Sequence, residues 1–234
     1  IGHLTHYPFM LVLPQSDSET ILIEHLARRG RPVAWGTRLV GFTQTDSQVR
    51  AEILHEDGRR ETRSYDYLIG CDGAASLVRT EAGIAFDGTT YDARFLLSEV
   101  EIEGNAIDRS SSHVFMGEKT TVAVIPQPGD IYRVVGPDFT RLNEGSGIGS
   151  RNEVTFEDFS AFLATNRLLQ HVSMRHPSRM VSYRVHKRVA ARFRKGRVFI
   201  AGDAAHIHSP AGGQGMNTGL HDVANLSWRI AQVL

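Results

Sequence analysis

GRVFIAGDAAHIHSPAGGQGMN, residues 196–217, combines a strand, a turn and the mouth of a helix in one run. Val198 to Ala201 has the unbroken apolar character of a strand buried in a parallel sheet. Gly202 follows with no Cβ, so another group can approach the backbone closely there. Asp203 then offers a carboxylate to hydroxyl donors. Beyond Pro210, Gly212, Gly213 and Gly215 free the backbone to turn its N–H groups inward. The helix that begins near Met216 and Asn217 presents its positive dipole end to the same place. An anion fits such a corner.

A second run, CDGAASLVR at residues 71–79, has related grammar. Tyr67, Leu68, Ile69, Gly70 and Cys71 read as a buried strand that feeds Asp72-Gly73 and then a helix carrying Val78. By itself this run reads equally as a turn with a helix cap or as a loop around a cofactor. Asp72 and Asp203 lie 131 residues apart, which leaves room for a separate sheet between them.

Working outward, Ser16 and Glu19 have capping-box spacing ahead of the apolar stripe Leu22, Ile23, Leu26 and Ala27, with Arg28, Arg29 and Gly30 closing a helix. Pro32 leads into Val33 to Trp35, a short apolar run expected to join the buried parallel sheet. Residues 39–43, 49–55 and 61–64, with an Asp57-Gly58 turn, predict an antiparallel meander. From Gly83 to Arg184 the texture changes to short strands, at 95–102, 113–116, 121–125 and 131–135. One helix interrupts them, N-capped by Thr155 and carrying Phe156, Phe159, Phe162 and Leu163. Asn143 to Ser150 is glycine-rich and polar and predicts a mobile loop. A final apolar helix runs from Met216 to Leu234. The fold class is therefore α/β with an α+β mixture: pieces of one parallel layer on either side of an antiparallel insertion. The expected partition is 15–85 with 192–234, and 1–14 with 86–191. Both glycine-aspartate loops emerge at the carboxyl ends of parallel strands, where such folds bind ligands.

The chain has 234 residues, 41% hydrophobic, enough for a globular enzyme-sized unit. Lysine plus arginine match aspartate plus glutamate at 26 each, so the basic field of a nucleic-acid or anionic-membrane binder is absent. Cys71 is the single cysteine, which excludes an intramolecular disulfide and suits a reducing cytoplasm. No apolar run reaches the roughly 20 residues of a membrane-spanning helix, and no signal peptide opens the chain. It begins at Ile1 and stops at Leu234 inside an expected helix, so both ends read as cuts.

Residues 196–217 and 71–79 resemble the two downstream signatures of the class A FAD-dependent aromatic hydroxylases, the para-hydroxybenzoate hydroxylase-like monooxygenases. The resemblance runs from about Ser16 to Leu234, in pattern only through the middle. It implies an FAD/NAD(P)-binding, Rossmann-like layer with an inserted substrate-domain sheet. In this family a glycine-aspartate pair holds the ribityl chain, here Gly202 and Asp203. The run Pro210, Gly212, Gly213 and Gly215 leads to a helix start that holds the flavin N1 and C2 carbonyl edge, here the backbone around Met216 and Asn217. Every fixed position of the family's aspartate-glycine motif is matched, which implies contact with flavin and a part in NAD(P)H use for Asp72, Gly73 and Arg79. Arg79 reads equally as a structural ion pair with Glu81 or Asp87.

The family's opening strand, G-x-G-x-x-G and helix, which bind the pyrophosphate, do not occur. Gly145, Gly147 and Gly149 have no apolar strand before them and do not substitute. The resemblance implies FAD, NADPH or NADH as reductant, and O2, with a flavin C4a-hydroperoxide hydroxylating a small phenolic or polyketide-like aromatic and no catalytic side chain required. It also implies an N-terminal segment, or a homodimer partner, completing a chain that is poorly stable alone. Two alternatives stay open: a non-catalytic fragment that cannot hold FAD tightly, or a flavin oxidase, reductase or halogenase on the same fold.

Asp203, His206 and His208 have the ligand types of an iron site, but they stand inside the flavin-like run, and no metal is expected. Ser209 lies in no G-x-S-x-G, so a hydrolase is not indicated. The basic run Arg184, His186, Lys187, Arg188, Arg192, Arg194, Lys195 and Arg197 reads as a solvated strand pair or as a guide for a nucleotide phosphate. Phe86, Tyr91, Phe95 and Phe115 read as core or as cavity lining.

Overall fold

A computed structural model describes residues 5–7, 9, 11–104, 106–117, 120–139, 152–210 and 213–234. They form two compact units. The first takes Ile1–Trp35, Phe95–Thr140 and Glu153–Ser182, and the second takes Gly36–Arg94, Arg141–Asn152 and Tyr183–Leu234. Among the described residues no helix is long and apolar enough to cross a membrane.

The first unit opens with α1 (Gln15–Arg28). Its N-cap is Pro14, which makes no side-chain cap, so the expected Ser16–Glu19 capping box does not form. The helix starts one residue ahead of Ser16. Glu19 instead accepts from the Gln15 amide at 2.6 Å, and the Asp17 and Ser18 N–H groups donate to the Pro14 carbonyl. The expected closure is present, with the Gly30 and Arg31 N–H groups donating to Ala27 and Leu26. No α1 residue is buried, and Ile21, Leu22 and Leu26 are each at least 42% exposed. Val33 to Trp35 is not a strand, and Trp35 is 73% exposed. An apolar run becomes a strand only where a neighbour supplies the ladder, and this segment runs in none.

The rest of this unit is an antiparallel sheet. It uses the latter part of β5 (Phe86–Ile102), then β6 (His113–Met116), β7 (Thr121–Pro126) and β8 (Ile131–Asp138), and after them short β9 (Asn152–Glu153) and the first part of β10 (Met174–Ala190). Numbers β1 to β4 and α2 fall in the second unit. The order is β10-β5-β8-β7-β6, with β9 beside β10. β8 alternates buried and half-buried along its whole length, the mark of a sheet with one covered face. The cover is α3 (Phe156–Ala164), which places Phe159 and Phe162 among Leu96, Val100, Val122, Val124 and Val134. Thr155 and Asp158 close a full capping box at its start, as the sequence predicts for the cap residue. Asn143 to Ser150 lies outside the described residues.

The second unit holds the meander β1 (Thr37–Gln44), β2 (Val49–His55) and β3 (Arg60–Tyr65), antiparallel throughout. A separate layer has β4 (Leu68–Gly70) parallel to β12 (Val198–Ile200), with β11 (Arg194–Lys195) on the far side of β12. The parallel pair thus joins segments from before and after the inserted sheet, a mixed α/β fold. Val198 and Ile200 are buried, but Ile69 is 43% exposed, so β4 is only half covered where the sequence predicts burial. α2 (Leu77–Glu81) packs Val78 and Ala82 into a core with Val49, Ile84, Val198 and Ile200. Short β13 (His206–Ile207) pairs with Arg188 and Val189 of β10, and α4 (Gly215–Ala231) ends the unit with none of its residues buried.

Candidate functional site

Val198 stands opposite Leu68 and Ile200 opposite Gly70, and Ala201 donates its N–H to the Gly70 carbonyl at 3.0 Å. The Asp72 and Asp203 loops therefore leave one sheet edge side by side, at the carboxyl ends of parallel strands.

In the first loop Asp72 uses both oxygens locally. Oδ1 accepts from the Ser76 hydroxyl at 2.5 Å and Oδ2 from the Val78 N–H at 3.0 Å, while Ser76 Oγ accepts from the Arg79 N–H at 2.9 Å. Two short side chains thus cap α2 and fix the loop that begins at Gly73. Arg79 turns inward and is 7% exposed. Its Nη1 donates to the Ala204 carbonyl at 2.9 Å and Nη2 to Ala74 at 2.8 Å, with the guanidinium 3.9 Å above the Phe86 ring. Burial pushes its pKa down, Asp72 pulls it up, and Arg188 pushes it down. Arg79 bolts the first loop to the second, a role the sequence leaves between a cofactor contact and an ion pair. Arg79→Lys is expected to lower stability by about 1.5 kcal/mol, because an ammonium cannot reach both carbonyls as the fork does. Equal denaturation midpoints for the two proteins would refute that bolt.

In the second loop Gly202 has φ +59°, a left-handed value that favours glycine, and Gly202 to Ala204 forms a 3-10 turn. Asp203 is exposed on that turn. The Gly202 N–H donates to Asp222 Oδ2 at 2.9 Å, and His206 Nε2 lies 2.5 Å from the same oxygen. Asp222 is the site residue that sequence reading misses. Its only local signal is its place three residues after Gly219 on one face of α4. His206 thus has a carboxylate partner on α4, and among the described residues no group of three His, Cys, Asp or Glu could hold a metal ion.

The third part is the start of α4. Gln214 is its N-cap and makes no side-chain cap hydrogen bond. Met216 is 56% exposed, and the Asn217 amide donates to Gln214 Oε1 at 3.1 Å. The Gly213 N–H donates to the exposed Pro210 carbonyl at 2.9 Å. Gly212 lies outside the described residues. A Cβ on Gly215 would lie 3.9 Å from His208, and one on Gly219 would lie 3.4 Å from the Gly202 Cα. Helix and turn are therefore in contact. Beside the site, Cys71 carries a thiol whose pKa is pushed up by burial first, then by Asp72 and Asp222.

A groove of about 460 Å3 between α4 and β12 is lined by Tyr67, Phe199, Asp222, Leu226, Arg229 and Val233, and stays clear of Asp72 and Asp203.

Residues 2–234 match the family model described as FAD binding domain. The chain is 38% identical over 229 residues to pentachlorophenol 4-monooxygenase of Sphingobium chlorophenolicum, covering 97% of this chain and 41% of that protein. Among solved structures, the OxyS anhydrotetracycline hydroxylase of Streptomyces rimosus is similar with a TM-score of 0.74 and 30% identity, over 96% of this chain and 44% of that one. The Diels-Alderase PyrE3 of pyrroindomycin biosynthesis is similar with a TM-score of 0.78 and 32% identity, over 94% and 46%. The chain spans less than half the length of each of these relatives.

Proposed function

The chain belongs to the class A FAD-dependent aromatic hydroxylase family, and from that membership we propose that it carries the flavin site of an NAD(P)H-dependent monooxygenase acting on a phenolic or polyketide-like aromatic. The observation that carries the reading is the shared edge of β4 and β12, which delivers two aspartate loops to one place, the second of them in contact with α4.

The residues present fit FAD. The exposed carboxylate of Asp203 would accept hydrogen bonds from the ribityl hydroxyls, backed by Gly202, and the exposed α4 start would face the anionic edge of a reduced ring with its positive dipole end. Pro210, Gly213 and Gly215 give that segment room for a flat group. Asp72, Gly73 and Arg79 shape the adjoining wall. FAD, when bound, would supply the redox chemistry by which NADPH or NADH and O2 yield a hydroxylated ring and water, one oxygen atom going to each. The chain's own share would be placement and charge: a fixed helix dipole at the ring edge would need no reorganisation as negative charge develops there. In this reading residues 15–85 with 192–234 form the flavin layer and residues 1–14 with 86–191 the substrate layer. A further segment or a second subunit holds the ADP half, and the protein works in a reducing cytoplasm.

The test is an absorbance spectrum of the purified protein with added FAD, followed by NAD(P)H oxidation with and without a phenol. A bound-flavin spectrum and phenol-stimulated oxidation are expected; no flavin uptake overturns the reading. The likeness to a Diels-Alderase supports a second reading, in which the same flavin layer serves a cyclisation rather than an oxygenation. Flavin uptake without any phenol-stimulated oxidation would favour it.

A further inference from the structure

A single oxygen atom joins the parts of the site. Asp222 Oδ2 takes the Gly202 N–H and the His206 imidazole together. These donors flank the turn that displays Asp203, one before it and one after it. Neither partner is free to drift: Asp222 and His206 side chains are 22% and 15% exposed, His206 pairs in β13 with Val189, and its ring stacks on Phe193 at a centroid distance of 5.8 Å. Asp222 itself stands in the second turn of α4, just past Gly219, where helix and turn backbones touch. Bonds to an ionised acceptor are roughly twice as strong as neutral ones, so this oxygen resists sliding of the helix along the turn.

We propose that Asp222 is a positioning residue for flavin. By holding Gly202 and His206 on one oxygen, it keeps the Asp203 carboxylate and the α4 start in a single register, so that the ribityl chain and the ring edge are met at once. This rests on the flavin reading above. A shift of about 1 Å between two halves of a site is enough to uncouple them.

The test compares Asp222→Leu, Asp222→Asn, His206→Phe and His206→Gln in the full chain. FAD dissociation constants come from flavin fluorescence, the ring's surroundings from visible circular dichroism, and the fold from apoprotein melting. Asp222→Leu and His206→Phe are expected to weaken FAD by about 10-fold or more and to alter the dichroism. Asp222→Asn keeps an acceptor and His206→Gln a donor, and both are expected to recover most of the affinity and the wild-type band shape. Where Asp222→Leu fails to fold, the His206 pair carries the comparison. Leu and Phe variants that bind FAD with wild-type affinity and dichroism overturn the proposal. So does an affinity loss that neither amide recovers and that follows the melting temperature. Wild-type protein that takes up no FAD overturns the flavin reading and this proposal with it, whereas loaded wild type beside indifferent variants overturns this proposal alone.

Discussion

Asp203→Ala in the full chain is expected to weaken FAD binding by about 100-fold, since a charged acceptor contributes up to about 3 kcal/mol and each 1.4 kcal/mol is a factor of ten. The melting temperature of the apoprotein should stay within about 2 °C, a change of under roughly 1 kcal/mol for a chain of this size. The separation of these two effects follows from placement. Asp203 is exposed on its turn and lies outside both clusters of buried residues, so its carboxylate supports little of the fold. Equilibrium dialysis against FAD checks the first half and thermal unfolding the second. Unchanged flavin content would remove Asp203 from the site, and a collapse in melting temperature would make it a structural residue instead.

Gly70→Val acts through the opposite route. A Cβ at Gly70 would lie 2.6 Å from the Val78 Cβ and 2.8 Å from its Cγ1, far inside contact distance. Val78 is 2% exposed and cannot swing away, so α2 itself must shift. The Asp72 loop hangs on α2 through the Ser76 and Val78 bonds, and Arg79 leaves the same helix for the Ala204 carbonyl. Overpacking of this kind is expected to lower stability by about 3 kcal/mol, or roughly 6–12 °C in melting temperature. Adding Val78→Ala removes Cγ1 and Cγ2 but keeps the Cβ at 2.6 Å, so it should restore only part of the loss. A double variant no more stable than the single one would show that the crowding is not what holds the glycine.

Much of the local structure of the candidate site was legible because its parts are local. Three features of residues 196–217 need only neighbouring residues to be recognised: a strand ending in glycine, a carboxylate beyond it, and a glycine-rich entry to a helix. The meander around Asp57-Gly58 and the Thr155 cap were legible for the same reason, since turn and cap chemistry act over a few residues. Ser16 shows the limit of such reading: the spacing of a capping box was present, but the helix began one residue earlier, at Gln15, and placed it inside.

By itself, then, the sequence determined most of the helices and strands, the two aspartate loops and the family likeness, because periodicity, turn residues and motif spacing are properties of short stretches of chain. Only the tertiary structure decided that Arg79 faces inward to a carbonyl 125 residues away, that Asp72 caps its own helix, that Asp222 gathers Gly202 and His206, and that Val33 to Trp35 is no strand. The reason is that a hydrogen bond or a strand ladder needs a partner at a definite distance. Where that partner comes from another part of the chain, no local pattern records it.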